Sequence, residues 1–417
     1  MKPVTFIVIG AGSRGHAYAK YALERPDRAR CVGVAEPREV RRQHLASEHG
    51  LTSAAQYADW RELVGGERQA DAVLITTQDA DHAEPAVALA GEGYHILLEK
   101  PMATTEDDCR RIVDAVGAAD VMLAVCHVLR YTAYTRKLKA MIGAGAIGDV
   151  LGLDRLEPVG WWHYAHSYVR GNWRTTRTST PMLMAKCCHD LDWILHVMGG
   201  GCQSVASFGS LVHFRADRAP AGAGQRCLDC PVEADCPYSA VKIYLQRVRE
   251  GHTGWPVDVL TMDAGATDEQ TVTTALRDGP YGRCVYHCDN DVADQQVVAM
   301  EFDGGRVANF IVSAFTPMAG RQTRLYGSRG QLCGDGRYIH HLDFLTGQTT
   351  SYDSEAGDAG ILGGHGGGDY ALMEVFIAAV AAGDESLILS GPAETLMSHR
   401  MIFAAERART ERRVVEL

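Results

Sequence analysis

Six residues near the start of the chain, Gly10-Ala11-Gly12-Ser13-Arg14-Gly15, constrain the fold more than any other stretch. They follow the apolar run Val4–Ile9, which reads as a buried strand, and they open the helical pattern Ser13–Glu24. A G-x-G-x-x-G turn between strand and helix uses the first glycine for a tight turn. The second lets backbone approach a pyrophosphate, and the third allows close helix–strand packing. The helix N-terminus then offers free N–H groups and the positive end of its dipole to phosphate. Cys31–Ala35 reads as the next strand, and Glu36 at its end stands where an acid binds ribose hydroxyls. Such a carboxylate repels a 2′-phosphate, so the pattern predicts NAD. Arg38, Ser13, Arg14, Thr76 and Glu99 complete the expected cofactor contacts.

Downstream, Ala72–Thr76, His95–Leu98 and Val121–Val125 are short apolar runs alternating with helical patterns, as βαβ units require. After His127 the rhythm changes. A helix at Tyr134–Ala144, a long strand at Val150–Glu157 and a helix around 182–198 precede strand-like runs at Gln203–Phe214, Gln295–Phe302, Arg306–Ala314, Thr323–Tyr326 and Gln331–Gly334. The expected architecture is an α/β Rossmann domain at 1–127, then an α+β domain at 128–417 with a large, mainly antiparallel open sheet. A cysteine-rich insertion at about 215–290 has little sheet character and no convincing apolar core. Asp369–Ala382 and Ala393–Arg409 read as terminal helices, the first entered from the loop that carries His365.

A chain of 417 residues with 46% hydrophobic and 22% charged residues has the balance of a globular protein of two domains. Its net charge of −11 disfavours nucleic acid and acidic membranes as partners. The apolar run at residues 1–9 is too short for a signal peptide, and no stretch approaches the ~20 apolar residues of a membrane span. A cytoplasmic enzyme is expected.

Glu99-Lys100-Pro101 follows the strand His95–Leu98. Together with the glycine turn, the two-domain order and the helix bearing His189 and Asp192, it resembles the Gfo/Idh/MocA family (glucose–fructose oxidoreductase, inositol dehydrogenase and relatives) over nearly the whole chain. The resemblance implies that Lys100 stands beside nicotinamide and substrate, and Lys100–Pro101 is a candidate cis peptide bond. It also implies that His189 touches the reacting hydroxyl. The family usually carries a carboxylate four positions before that histidine; here the residue is Ala185, with Lys186 next to it. Lys100 and His189 are the expected catalytic pair.

Tyr131 follows the last Rossmann strand, where such sheets bind ligands. The segment 161–174 is rich in Trp, His, Tyr and Arg. His163, His166, Arg170, Arg174, Lys186 and Asp192 are therefore expected at the substrate. The cations Arg170, Arg174, Arg177 and Lys186 suggest an anionic substituent, because arginine matches carboxylate, phosphate or sulfonate oxygens. His365 reaches this pocket or caps the helix that follows it.

Cys227-x-x-Cys230 and Cys236 place three thiols within ten residues, a spacing suited to tetrahedral zinc. Cys284 is the favoured fourth ligand, with Cys288 and His287 as alternatives. A structural zinc is the expected occupant; an iron–sulfur cluster uses similar ligands.

Three functions fit these features. The first is NAD-dependent removal of hydride from a secondary carbinol of a sugar or sugar derivative. The second, implied by some relatives, is an NAD-dependent glycosidase of the sulfoquinovosidase type, which oxidises C3 transiently, eliminates the C1 substituent and adds water without net redox change. The third is a cofactor-binding sensor without chemistry. Homo-oligomerisation through the open sheet follows from the resemblance.

Overall fold

The computed structural model describes residues 2–354 and 364–417, apart from the side chain of His365, which lies outside the described residues. The first sheet contains β1 (Val4–Ile9), β2 (Ala29–Ala35), β3 (Gln56–Tyr57), β4 (Ala72–Ile75), β5 (His95–Leu98) and β6 (Leu123–Val125), in the order β3-β2-β1-β4-β5-β6. Every pairing is parallel. Side chains alternate across a strand, so Phe6 and Val8 enter one core while Ile7 and Ile9 enter another on the opposite face. Burial on both faces explains the unbroken apolar runs. The strand order reverses between β1 and β4, and the crevice at their carboxyl ends is where open α/β sheets bind ligands.

The second sheet has nine strands. In addition to β7 (Val150–Pro158), it holds β8 (Cys202–Ser210), β9 (Gln295–Phe302), β10 (Arg306–Ser313), β11 (Gln322–Gly327), β12 (Gly330–Gly334), β13 (Tyr338–Asp343), β14 (Thr349–Asp353) and β15 (Val415–Glu416), ordered β14-β13-β12-β11-β7-β10-β9-β8-β15. All pairings are antiparallel except β7 with β10. In β9, Val298, Met300 and Phe302 face the core and Val297 faces out. The outer face carries further exposed apolar side chains: Leu151, Phe208, Val307 and Ile311.

Three local features depart from the sequence reading. The helix expected over 182–198 is two helices, Met182–Ala185 and Cys188–Met198, broken at Lys186-Cys187. The aromatic segment is helical, a turn at Trp161–Tyr164 running into a wider-wound stretch at Ala165–Arg170. The insertion does have apolar anchors: Ile243, Tyr244, Val257, Val272, Leu276 and Val285 join the core of the second domain. At the chain end, the helix Gly368–Ala382 returns to the first domain, where Leu372, Met373, Phe376 and Ile377 share a core with Phe6 and Val8. No helix among the described residues is long and apolar enough to cross a membrane.

Candidate active site

At the sheet's switch point the glycine turn has the shape the motif demands. Gly10 has φ +97°, and a Cβ there would lie 2.9 Å from the Thr76 carbonyl oxygen. A Cβ on Gly15 would meet the Gly10 carbonyl oxygen at 2.3 Å, whereas one on Gly12 would meet nothing within 4 Å. The approach over Gly12, to the N-terminus of the helix Ser13–Glu24, is thus open to a phosphate. Thr76 closes the turn by donating its hydroxyl to the Gly10 carbonyl oxygen (2.6 Å).

Glu36 is buried at the end of β2. Its Oε2 accepts the Ala11 N–H (2.9 Å), and its Oε1 accepts the Arg38 N–H (3.1 Å) and Nε–H (2.8 Å). Burial alone would raise its pKa; the bonds from Arg38 and Ala11 and the guanidinium charge outweigh this and hold it below the ordinary carboxylate range. A permanent anion there suits ribose hydroxyls. These residues therefore fit NAD.

Two expected cofactor contacts, Arg14 and Glu99, bond each other. Arg14 points inward: its Nε donates to Glu99 Oε1 (2.6 Å) and its Nη2 to Asp369 Oδ1 (2.6 Å). Glu99, also bonded by Tyr18, receives the Lys100 N–H on Oε2 (2.7 Å). Both side chains are engaged in bonds around the Lys100 turn.

That turn contains the cis peptide bond Lys100–Pro101. The Pro101 carbonyl oxygen lies 2.7 Å from His82 Nδ1, and the Met102 N–H donates to His399 Nε2 (2.8 Å). With its backbone held this way, Lys100 extends Nζ to the Ala185 carbonyl oxygen at 2.8 Å. Main chain thus receives the ammonium at the position where the resemblance led us to expect a carboxylate side chain. His189, buried, lies four residues on. The His127 ring stands edge-on to it with centroids 6.0 Å apart. Burial, then the charges of Arg130 and Lys100, push the His127 pKa well below its ordinary value, so this ring is neutral.

Several expected substrate residues are engaged elsewhere. Asp192 is fully buried and forms a two-point ion pair with Arg130 (2.7 and 2.8 Å). The Tyr131 hydroxyl accepts the Leu389 and Ser390 N–H groups (3.0 and 3.1 Å). His166 is buried, bonded through Nδ1 to the Tyr244 hydroxyl (2.8 Å) and stacked on Tyr281; burial, then Arg170, pushes its pKa down to about 3. Arg170 donates to the carbonyl oxygens of Arg283 and Tyr238, each at 2.8 Å. Arg174 pairs with Asp289 (2.9 Å). These five side chains hold the protein together. His163 packs edge-on against Trp255 (4.9 Å between centroids), where burial and then Lys186 push its pKa well below the ordinary value. Lys186 pairs with Glu157 (3.3 Å), which also meets Arg321 (2.8 Å).

Asp79, absent from the sequence reading, is buried in the cleft. It accepts the Trp173 indole N–H (3.4 Å) and the Ser179 hydroxyl (3.1 Å), so it ties the first domain to the aromatic segment of the second. Its place just after β4, at the carboxyl edge of the parallel sheet, was the signal that would have found it. Glu157 and Arg321 gave no such signal, because they meet through the pairing of β7 with β11.

Away from the cleft, Cys227, Cys230, Cys236 and Cys284 line one cavity together with Arg170. The Cys288 thiol instead donates to the Cys284 carbonyl oxygen (3.2 Å). Tetrahedral zinc with ~2.3 Å bonds draws its sulfurs to within ~4 Å of one another. Among the described residues, no three of these sulfurs lie within 4.8 Å of one another. The expectation of zinc has no support in that spacing.

A parallel sheet that presents a glycine turn, an acid on β2 and a lysine turn to one crevice defines a nucleotide-dependent oxidoreductase. Residues 4–127 match the model of an oxidoreductase family with an NAD-binding Rossmann fold, and residues 139–417 match that family's C-terminal alpha/beta domain. The chain belongs to the Gfo/Idh/MocA oxidoreductase family. It is 25% identical to the Bacillus subtilis protein YteT over 73% of this chain and 71% of that one. It is 31% identical to inositol 2-dehydrogenase of Pseudomonas fluorescens over 45% of this chain and 54% of that one. With 2,7-anhydro-N-acetylneuraminate hydratase of Mediterraneibacter gnavus it shares 27% identity over 51% of this chain and 54% of that one. The last two alignments span about half the length of each relative. A solved levoglucosan dehydrogenase in complex with NADH has the same fold, with a TM-score of 0.72 over 99% of both chains at 17% identity.

Proposed function

We propose that this protein is an NAD-dependent enzyme that oxidises a secondary carbinol of a sugar or sugar derivative between Lys100 and His189. The observation that carries this reading is the reach of Lys100 Nζ to the Ala185 carbonyl oxygen, on the chain segment that leads into His189. Bound NAD supplies the acceptor for the hydrogen that leaves the carbinol carbon. Lys100 Nζ exchanges a proton with the carbinol oxygen, and His189 hydrogen-bonds the same oxygen and orients it. Glu99, His82 and His399 keep the lysine backbone in register, so that the ammonium is positioned before substrate arrives.

Arg170, Arg174 and Lys186 all have protein partners, so an anionic substituent forms no part of this proposal. The exposed apolar face of the second sheet supports pairing with a second copy of the chain.

The test is the wild-type enzyme and Lys100→Met, each with NAD and a panel of sugars, assayed for NADH and ketosugar. The proposal expects equimolar products from the wild type and loss of nearly all turnover in the variant. Equal turnover in both would refute it.

A redox-neutral addition or removal of water is a second reading. It is favoured by Asp79, a buried carboxylate in the cleft, and by the relative named as a hydratase. In heavy water this reading expects a product carrying deuterium at the carbon beside the oxidised one, with no net NADH.

A further inference from the structure

We propose that Cys227, Cys230, Cys236 and Cys284 hold an iron–sulfur cluster, with the Arg170 guanidinium as its buried counter-cation. Four observations converge on this site. First, the cysteines come from separate segments brought together by pairing: Arg226 and Arg283 form an isolated antiparallel bridge, and the Cys284 N–H donates to the Gln225 carbonyl oxygen (2.9 Å). That pairing sets Cys284 opposite Gln225, two residues before Cys227, whose Sγ lies 3.9 Å from the Arg283 carbonyl oxygen.

Second, the thiols share one cavity without clustering in near contact. They line one small cavity, and no three of their sulfurs lie within 4.8 Å of one another among the described residues. A single tetrahedral ion needs sulfurs in near contact. A cluster carries its thiolates on the outside of an inorganic core and so holds their sulfurs further apart than a single ion does.

Third, Arg170 is completely buried, lines the same cavity, and has one guanidinium nitrogen, Nη1, without a hydrogen-bond partner. An unpartnered cationic N–H in the interior is costly. Four thiolates around a cluster leave a net negative charge, which that group would neutralise. Its Nη2 already lies 3.5 Å from Cys227 Sγ.

Fourth, the Gly224 N–H points at Cys230 Sγ (3.3 Å), a donor of the kind that tunes cluster thiolates. Binding releases the thiol protons to solvent and makes four Fe–S(Cys) bonds; no oxidation of the protein is involved. Because Arg170 ends the helical segment Ala165–Arg170, the cluster fastens the insertion to the wall of the cleft.

The test is full-length protein purified without oxygen and reconstituted with equal amounts of ferrous and ferric iron and with sulfide, which together supply the oxidation level of the cluster. Iron, acid-labile sulfide and zinc are then counted, and the visible and electron paramagnetic resonance spectra recorded. The cluster reading expects about four irons and four sulfides per chain and a reducible brown chromophore. The chromophore should be lost in Cys230→Ser and Cys236→Ser and kept in Cys333→Ser, whose thiol lies outside the cavity. Stoichiometric zinc without sulfide overturns the proposal, as does a wild-type protein that binds neither metal after reconstitution. The wild-type count decides the matter even if the serine variants fail to fold.

Discussion

Lys100 and Ala185 meet across the domain cleft: the ammonium of one donates to the main-chain carbonyl oxygen of the other at 2.8 Å. This contact survives any side-chain substitution at 185 that keeps the backbone. It therefore separates lysine placement from the family's usual carboxylate. Ala185→Asp should leave NAD affinity within about twofold and shift the pH dependence of turnover, because a carboxylate beside the lysine stabilises its charged form. An unchanged pH profile would show that residue 185 does not act on Lys100.

Glu36 is predicted to set cofactor choice. Glu36→Ala removes the acceptor for the ribose hydroxyls and frees Arg38, whose side chain now pairs with it. NAD should bind at least about tenfold more weakly, ~1.4 kcal/mol, and NADP more tightly. Titration of both cofactors by nicotinamide fluorescence reads the effect; an unchanged preference would move the ribose site elsewhere.

Asp192 tests structure against substrate contact. The pair Arg130–Asp192 is buried on both sides, and Asp192→Ala leaves the guanidinium only the largely exposed Glu394 as a carboxylate partner. A loss of roughly 3–5 kcal/mol of stability is expected. Chemical denaturation should show this, while any soluble variant should keep KM near the wild-type value. Normal stability with a raised KM would return Asp192 to the substrate.

Stability should fall with acid from below neutrality. Burial is the largest cause that lowers the pKa of His166 and His399 to about 3 and that of His196 to about 4. Their unfolded values lie near ~6.5, so below that pH the unfolded chain binds protons that the folded chain refuses. Each fully buried ring costs up to about 2 kcal/mol at pH 5, and the loss runs on until the folded pKa is reached. The melting temperature should drop between pH 7 and pH 5; a flat curve would contradict this assignment.

The sequence was most informative where local geometry dictates residue type. Gly10, Gly12 and Gly15 announce the turn because no Cβ fits two of those positions and a ligand must approach the third. Glu99-Lys100-Pro101 was legible as a motif, and the cis bond followed. Polarity alone misled: Asp192, His166 and Arg170 are typical pocket residues by chemistry, yet each finds its partner in a segment distant in sequence. The break at Lys186-Cys187 was invisible because both residues tolerate helix, and tertiary packing decided the matter. The strands β13 and β14 at one end of the sheet were missed because they are largely exposed and lack a buried alternating face.

The central claim is that a sugar carbinol gives hydrogen to NAD under the control of Lys100. The most direct measurement is a single turnover of NAD-loaded enzyme with a sugar deuterated at each secondary carbinol in turn, followed by NADH absorbance. The account predicts that deuterium at one carbon slows the absorbance rise several-fold, and that Lys100→Met abolishes the rise while still binding NAD. No NADH with any sugar of the panel, or an undiminished rise in Lys100→Met, would contradict it.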